Sequence, residues 1–196
     1  VVDGNGQNLV DRSFMEDVYG SNQPTQQGIA IVADFLANGS QTILHAASEY
    51  VLALLDRNAN PLWRTSYGPV QTLWSPAVGD FDGDGDLDVL SGLMNSSTLS
   101  AYDARTGAVR WTLTLPGVPG PGVSGDLDGD GRDEALYAVG NTLYCIGTTP
   151  DGRAGRIEWS RTFSSAIGMP ILANVTGQGQ LQIVVVAQDG HVYGLA

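Results

Sequence analysis

The feature that most constrains this chain is a recurrence. Asp34-Phe35, Asp80-Phe81, Asp126-Leu127 and Asn174-Val175 are each followed by a glycine-bearing turn and an apolar run, at spacings of 46, 46 and 48 residues. A second landmark has the same period: Trp63 with Tyr67, Trp111 with Leu115 and Trp159 with Phe163 place large apolar side chains four residues apart, on one face of a strand. Self-similarity at this length means stacked copies of one supersecondary unit.

Within a unit the period is that of strands. Ser75 to Phe81, Leu87 to Leu93, Thr98 to Tyr102 and Val109 to Leu115 are separated by Asp/Gly, Asn-Ser-Ser and Arg-Thr-Gly turns. No stretch carries helical periodicity. Four strands in about 48 residues indicate a β-propeller, whose radial repetition leaves only short protected edges. The expected fold is therefore all-β, a four-bladed propeller in a single domain over residues 1–196, with blades at 28–68, 69–116, 117–164 and 165–196.

The fourth unit lacks its outermost strand after Asn174, and Val10 to Phe14 supplies a matching segment at the other end of the chain. Residues 1–14 are thus expected to close blade 4. The same strand could instead complete the fourth blade of a neighbouring copy, by strand addition between chains, and so build a filament. Val10 to Asp34 spans 24 residues where the equivalent gaps are 17, 15 and 15, so Met15 to Gln27 reads as an inserted loop. Loops on a rigid scaffold are common places for recognition.

Two turns carry most of the chemistry. From Asp80 to Asp88, carboxylates occupy loop positions 1, 3, 5 and 9 as Asp80, Asp82, Asp84 and Asp88, with glycines that allow a tight path around an ion. From Asp126 the same positions hold Asp126, Asp128, Asp130 and Glu134, with Asp133 as a rival at the last one if the loop is registered differently; Glu134 aligns with Asp88. Hard oxygen ligands in a flexible loop suit calcium, so the expected cofactor is Ca2+ at two sites. An EF-hand would need Glu at position 12 and flanking helices, but those positions hold Ser91 and Tyr137 and the flanks read as strands. In the first and last units the corresponding residues are Asp34, Leu36, Asn38, Thr42 and Asn174, Thr176, Gln178, Gln182, which lack the charge to hold calcium.

The Asp-x-Asp-Gly-Asp-Gly loops between strands resemble the FG-GAP and VCBS repeats of integrin α-subunit propellers and many secreted bacterial proteins. The outer half of each unit, as in Tyr102 to Trp111 with its Thr106-Gly107 turn, resembles the quinoprotein-type propeller repeat. The first resemblance implies that the backbone carbonyl at position 7, belonging to Asp86 and Arg132, completes the ligand set while those two side chains point away. It also implies an extracellular or cell-surface setting, where calcium sites bind at ~0.1 to 1 mM.

The remaining signals argue by exclusion. A formal charge of −12, from 21 acids against 9 basic residues, opposes binding to nucleic acid or an anionic membrane, and no apolar run reaches the ~20 residues of a membrane-spanning helix. Cys145, the only cysteine, lies in an apolar stretch and reads as a core thiol. His45 and His191 are distant in sequence, and no nucleophile elbow, phosphate loop or dinucleotide fingerprint is present. Asn38, Asn95 and Asn174 head short glycosylation patterns. The expected function is a non-catalytic recognition, adhesion or structural module that meets a protein, a glycan or copies of itself. A carbohydrate-active or redox propeller enzyme is the remaining alternative.

Overall fold

The computed structural model describes Gln7 and residues 29–46, 51–66 and 75–195. Fifteen strands lie among them, with no helix. The first sheet runs in the order β1 (Ile29–Ala33), β2 (Thr42–Ala46), β3 (Val51–Leu55), β4 (Pro61–Ser66); the second in the order β5 (Ala77–Gly79), β6 (Asp88–Gly92), β7 (Thr98–Tyr102), β8 (Val109–Thr114). The third runs β9 (Gly122–Gly125), β10 (Glu134–Val139), β11 (Thr142–Thr148), β12 (Gly155–Thr162), and the fourth holds β13 (Ile171–Ala173), β14 (Gln182–Val186) and β15 (Val192–Leu195). Each is an antiparallel meander in which strands consecutive in the chain are neighbours. The expected closing strand at 9–14 and the inserted loop at 15–27 lie outside the described residues.

The strand boundaries follow the turn chemistry. Thr98–Tyr102 is the predicted strand unchanged, whereas the expected Ser75 to Phe81 shortens to Ala77–Gly79 because Asp80 and Phe81 already belong to the acidic turn. In the first three sheets the register slips once between the third and outermost strands, at Leu54/Leu55, Ala101/Tyr102 and Cys145/Ile146. Such bulges raise local twist.

Three apolar cores join successive sheets. Leu44, Leu52, Leu54 and Trp63 of the first meet Val89, Tyr102 and Ala104 of the second; Leu90, Leu99 and Trp111 meet Ala135, Tyr137 and Ile146; Leu136, Leu143 and Cys145 meet Ile183 and Val185. Alternate residues along each inner strand therefore face the blade before and the blade after. Buried polar contacts fix the stacking. The Tyr137 hydroxyl donates to the Leu90 carbonyl at 2.5 Å and accepts from Ala77 N at 3.3 Å, and the Thr148 hydroxyl donates to the Phe81 carbonyl at 2.5 Å.

The tryptophan landmark has a structural basis in two of its three copies. The Trp63 ring lies against Gly107 and the Trp111 ring against Gly155, so close that a Cβ at either glycine would run into it. Trp159 is 37% exposed instead. Its corresponding turn would fall at Asp3 to Gln7, of which only Gln7 is described.

Two alanines, Ala37 and Ala59, hold left-handed backbone in this frame. Ala37 occupies the place that Gly83, Gly129 and Gly177 hold in the other turns, and its φ is +47°. A Cβ in the left-handed region costs about 1 kcal/mol or more. Ala37→Gly is therefore expected to raise the melting temperature by about 2 °C, after allowance for glycine's greater freedom in the unfolded chain. A fall in a calorimetric scan would contradict this.

Candidate metal centres

The acidic turns are organised first by their own backbone. Asp80 Oδ1 accepts Gly83 N at 2.8 Å and Asp84 N at 3.0 Å, and its Oδ2 accepts Gly85 N at 2.9 Å. Asp126 repeats this with Gly129 N at 2.7 Å and Gly131 N at 3.2 Å. These folds need left-handed backbone at two points, supplied by Gly83 and Gly85 and by Gly129 and Gly131. The first residue of each loop is thus a hub around which the chain winds.

The winding brings carboxylates together. One oxygen from each of Asp80, Asp82 and Asp84 lies within 4.8 Å of the others, and the same holds for Asp126, Asp128 and Asp130. Asp88 enters from β6 and is 2% exposed, with no hydrogen-bond partner for Oδ1. Burial, reinforced by the nearby Asp84 charge, pushes its carboxyl up to about 8. Glu134 enters the second loop from β10; its Oε2 accepts Leu127 N at 2.9 Å, and burial lifts it to about 7.

Asp133 turns the other way. Its Oδ2 accepts Asp80 N at 2.9 Å while its own N donates to the Asp80 carbonyl at 2.9 Å, so it clamps the second loop to the first. Sequence reasoning weighed Asp133 only as a rival ligand; the reciprocal bond between blades had no local signal. Asp133→Ala leaves Asp80 N without an acceptor and is expected to cost about 1–3 kcal/mol, with Asp133→Asn milder because it keeps a carbonyl oxygen. Equal losses in denaturant titrations of the two variants would argue against the clamp.

The side chains at position 7 are engaged outside the loops. Asp86 pairs with Arg105, and Arg132 donates to the Thr149 and Pro150 carbonyls at 3.2 and 3.0 Å. The two loops differ in one respect. Arg110 pairs with Asp82 and lies 3.3 Å from Asp84, 2.7 Å from Asp103 and 3.8 Å from Asp88. Among the described residues no arginine pairs with Asp126, Asp128 or Asp130.

The first and fourth turns keep the backbone course with no carboxylate cluster among the described residues. Asp34 accepts Asn38 N at 3.1 Å and Gly39 N at 2.7 Å, and the Thr42 hydroxyl donates to the Ala33 carbonyl at 3.1 Å. Gln182 Oε1 accepts Val175 N at 2.8 Å and Thr176 N at 3.1 Å, the role that Glu134 plays toward Leu127. An amide here fastens the turn without adding charge.

Sheets of this form, stacked face to face through alternating strand residues, define a β-propeller. No protein-family model and no curated protein matches the chain. Solved propellers do: Sqt1 of Saccharomyces cerevisiae, with a TM-score of 0.71 and 15% identity over 97% of this chain and 49% of that one. BBS1N in complex with ARL6DN gives 0.66 and 12% over 85% and 46%, and the Bacillus licheniformis rhamnogalacturonan lyase PL11 gives 0.61 and 16% over 82% and 40%. The chain spans about half the length of these neighbours or less, and the likeness is one of fold. Among the described residues no helix is long and apolar enough to cross a membrane.

Proposed function

We propose that the chain is a calcium-stabilised propeller module that acts without catalysis, as a recognition, adhesion or structural scaffold outside the cell. The observation that carries this reading is Asp88, a carboxylate buried near Asp80 and Asp84, whose Oδ1 accepts no hydrogen bond and has only the Arg110 guanidinium at 3.8 Å. A buried carboxylate with one long ion pair is costly, and a hard cation shared with the triad would offset that cost. The ligands are the side chains of Asp80, Asp82, Asp84 and Asp88 with the Asp86 carbonyl, and of Asp126, Asp128, Asp130 and Glu134 with the Arg132 carbonyl.

The non-catalytic part is supported by what the polar groups do. Burial pushes the Cys145 thiol far up, so it does not suit nucleophilic work near neutral pH. Ser164, Asp189 and His191 come together, but the carboxylate stands between the other two: Ser164 donates to Asp189 Oδ2, and His191 Nδ1 lies 3.1 Å from Asp189 Oδ1. The base adjacent to Ser164 is a carboxylate held down to about 2 by its hydrogen bonds, too weak to activate a serine near neutral pH. BBS1N is described with a bound protein, which supports a protein partner for a module of this kind.

Hydrogen exchange tests the proposal locally. Adding calcium is expected to slow the amides of Gly83, Gly85, Gly129 and Gly131, whose carboxylate acceptors would become fixed, while Asn38, Gly39, Gly177 and Gly179 exchange unchanged. Equal exchange at all of them with calcium and with chelator would count against it.

A further inference from the structure

In each of the first three sheets the register slip leaves one residue of the outermost strand out of the ladder. Leu54 pairs with Trp63 and Leu55 with Pro61, which skips Leu62. Ala101 pairs with Trp111 and Tyr102 with Val109, which skips Arg110; Cys145 pairs with Trp159 and Ile146 with Ile157, which skips Glu158. A bulge of this kind re-aims the side chain it frees. The freed residues each stand just before a landmark tryptophan, and they differ in charge: neutral, positive and negative.

Their settings match the turns of their own blades. Leu62 is exposed, in a blade whose turn carries no carboxylate cluster among the described residues. Arg110 reaches into the first acidic loop, where its guanidinium pairs with Asp82 and lies 3.3 Å from Asp84. The same group is moored outside the ligand set, because Asp103 Oδ2 accepts Nε at 3.1 Å and a terminal N–H at 2.7 Å. Asp103 is itself fixed, its Oδ1 accepting Arg105 N at 3.0 Å and Thr106 N at 2.9 Å. Release from Asp82 and Asp84 would therefore leave Arg110 still paired. Glu158 does the opposite and adds a carboxylate beside the second loop. After burial, the charges of Asp128, Glu158 and Asp130 lift the Glu134 carboxyl. Glu158 Oε1 accepts two bonds from Arg156, at 3.1 and 2.9 Å, and Arg156 is mostly exposed, so solvent screens that pairing.

We propose that the bulge residue of the outermost strand sets how tightly its blade's loop holds calcium, Arg110 weakening the first centre as a built-in competing cation and Glu158 strengthening the second as an added charge. The inference rests on the calcium reading of the two loops and concerns their regulation. Affinity in oxygen-ligand loops follows the charge count around the ion, and here one loop has a charge subtracted and the other a charge added. The two centres are thereby graded. The second fills at low calcium, while Arg110 holds the acids of the first together until calcium rises and displaces it towards Asp103.

A calcium titration followed by amide exchange reads the loops separately, Gly83 and Gly85 reporting the first and Gly129 and Gly131 the second. In the wild type the second loop is expected to respond at about tenfold lower calcium, the effect of one nearby charge at a partly screened site. Arg110→Gln lowers the first-loop midpoint about tenfold and leaves the second in place; Arg110→Lys, which keeps the charge, stays closer to wild type. Glu158→Gln raises the second-loop midpoint alone and keeps the inference testable should the Arg110 variants fold poorly. Equal midpoints in the wild type overturn the inference while the calcium reading stands, as does an Arg110→Gln variant that shifts both loops together or neither. No response to calcium at either loop overturns the calcium reading and this inference with it.

Discussion

Removing calcium is expected to lower the melting temperature by about 6–11 °C. At free calcium about ten times the dissociation constant each loop gains ~1.4 kcal/mol, or ~2.8 kcal/mol for two, and a domain of this length shifts by about 2–4 °C per kcal/mol. The loops sit on strands that feed the shared cores: Asp88 opens β6, whose Val89 and Leu90 face the sheets on either side, and Glu134 opens β10, which carries Tyr137. Loosening either loop thus frees the start of a core strand. Asp82→Ala and Asp128→Ala together are expected to abolish the calcium-dependent shift and to melt near the chelated wild type. A wild-type melting curve unmoved by exhaustive chelation would contradict the assignment.

Trp63→Ala is expected to cost about 3–5 kcal/mol, the range for deleting a large buried aromatic side chain. Trp63 is 8% exposed, its ring covers Gly107 of the next blade, and Nε1 donates to the Ala104 carbonyl at 2.6 Å. It belongs to one sheet and is satisfied by another, so its loss weakens the junction rather than the strand. Trp63→Phe keeps most of the apolar contact and leaves the Ala104 carbonyl unpaired, which should place it between the alanine variant and wild type. A loss below about 1 kcal/mol for Trp63→Ala in guanidinium titrations would mean that the ring does not carry the junction. Trp159, which is exposed, provides the contrast: Trp159→Ala should cost much less.

The period of the chain made the sheets legible, because a repeated Asp/Gly turn and a repeated tryptophan fix where strands begin and end. The paired acidic loops were legible for the same reason, since glycines at two left-handed positions and carboxylates at alternate ones leave few other foldings. What lay beyond reach depends on neighbours distant in sequence. Asp133 sits beside Glu134, and only the approach of Asp80 from the preceding blade decides that it clamps rather than turns into its own loop. Arg110, in a strand that reads as ordinary, reaches back to Asp82 because β8 passes the mouth of its own blade's turn. Gln182 looks like a missing ligand in the sequence, yet it fastens the fourth turn as Glu134 fastens the third. Ala37 breaks the glycine pattern without altering the course of its turn, so composition alone understated how closely the four turns agree.

Calcium counted per chain, after equilibrium dialysis and atomic emission, tests the account most directly. Two ions per chain are expected, with the loop of Asp126 to Glu134 filling first because Arg110 competes at Asp82 and Asp84 in the other. Dialysed protein that holds no calcium above the buffer at millimolar concentrations, or that binds it equally after both loops are disabled, would contradict the two centres.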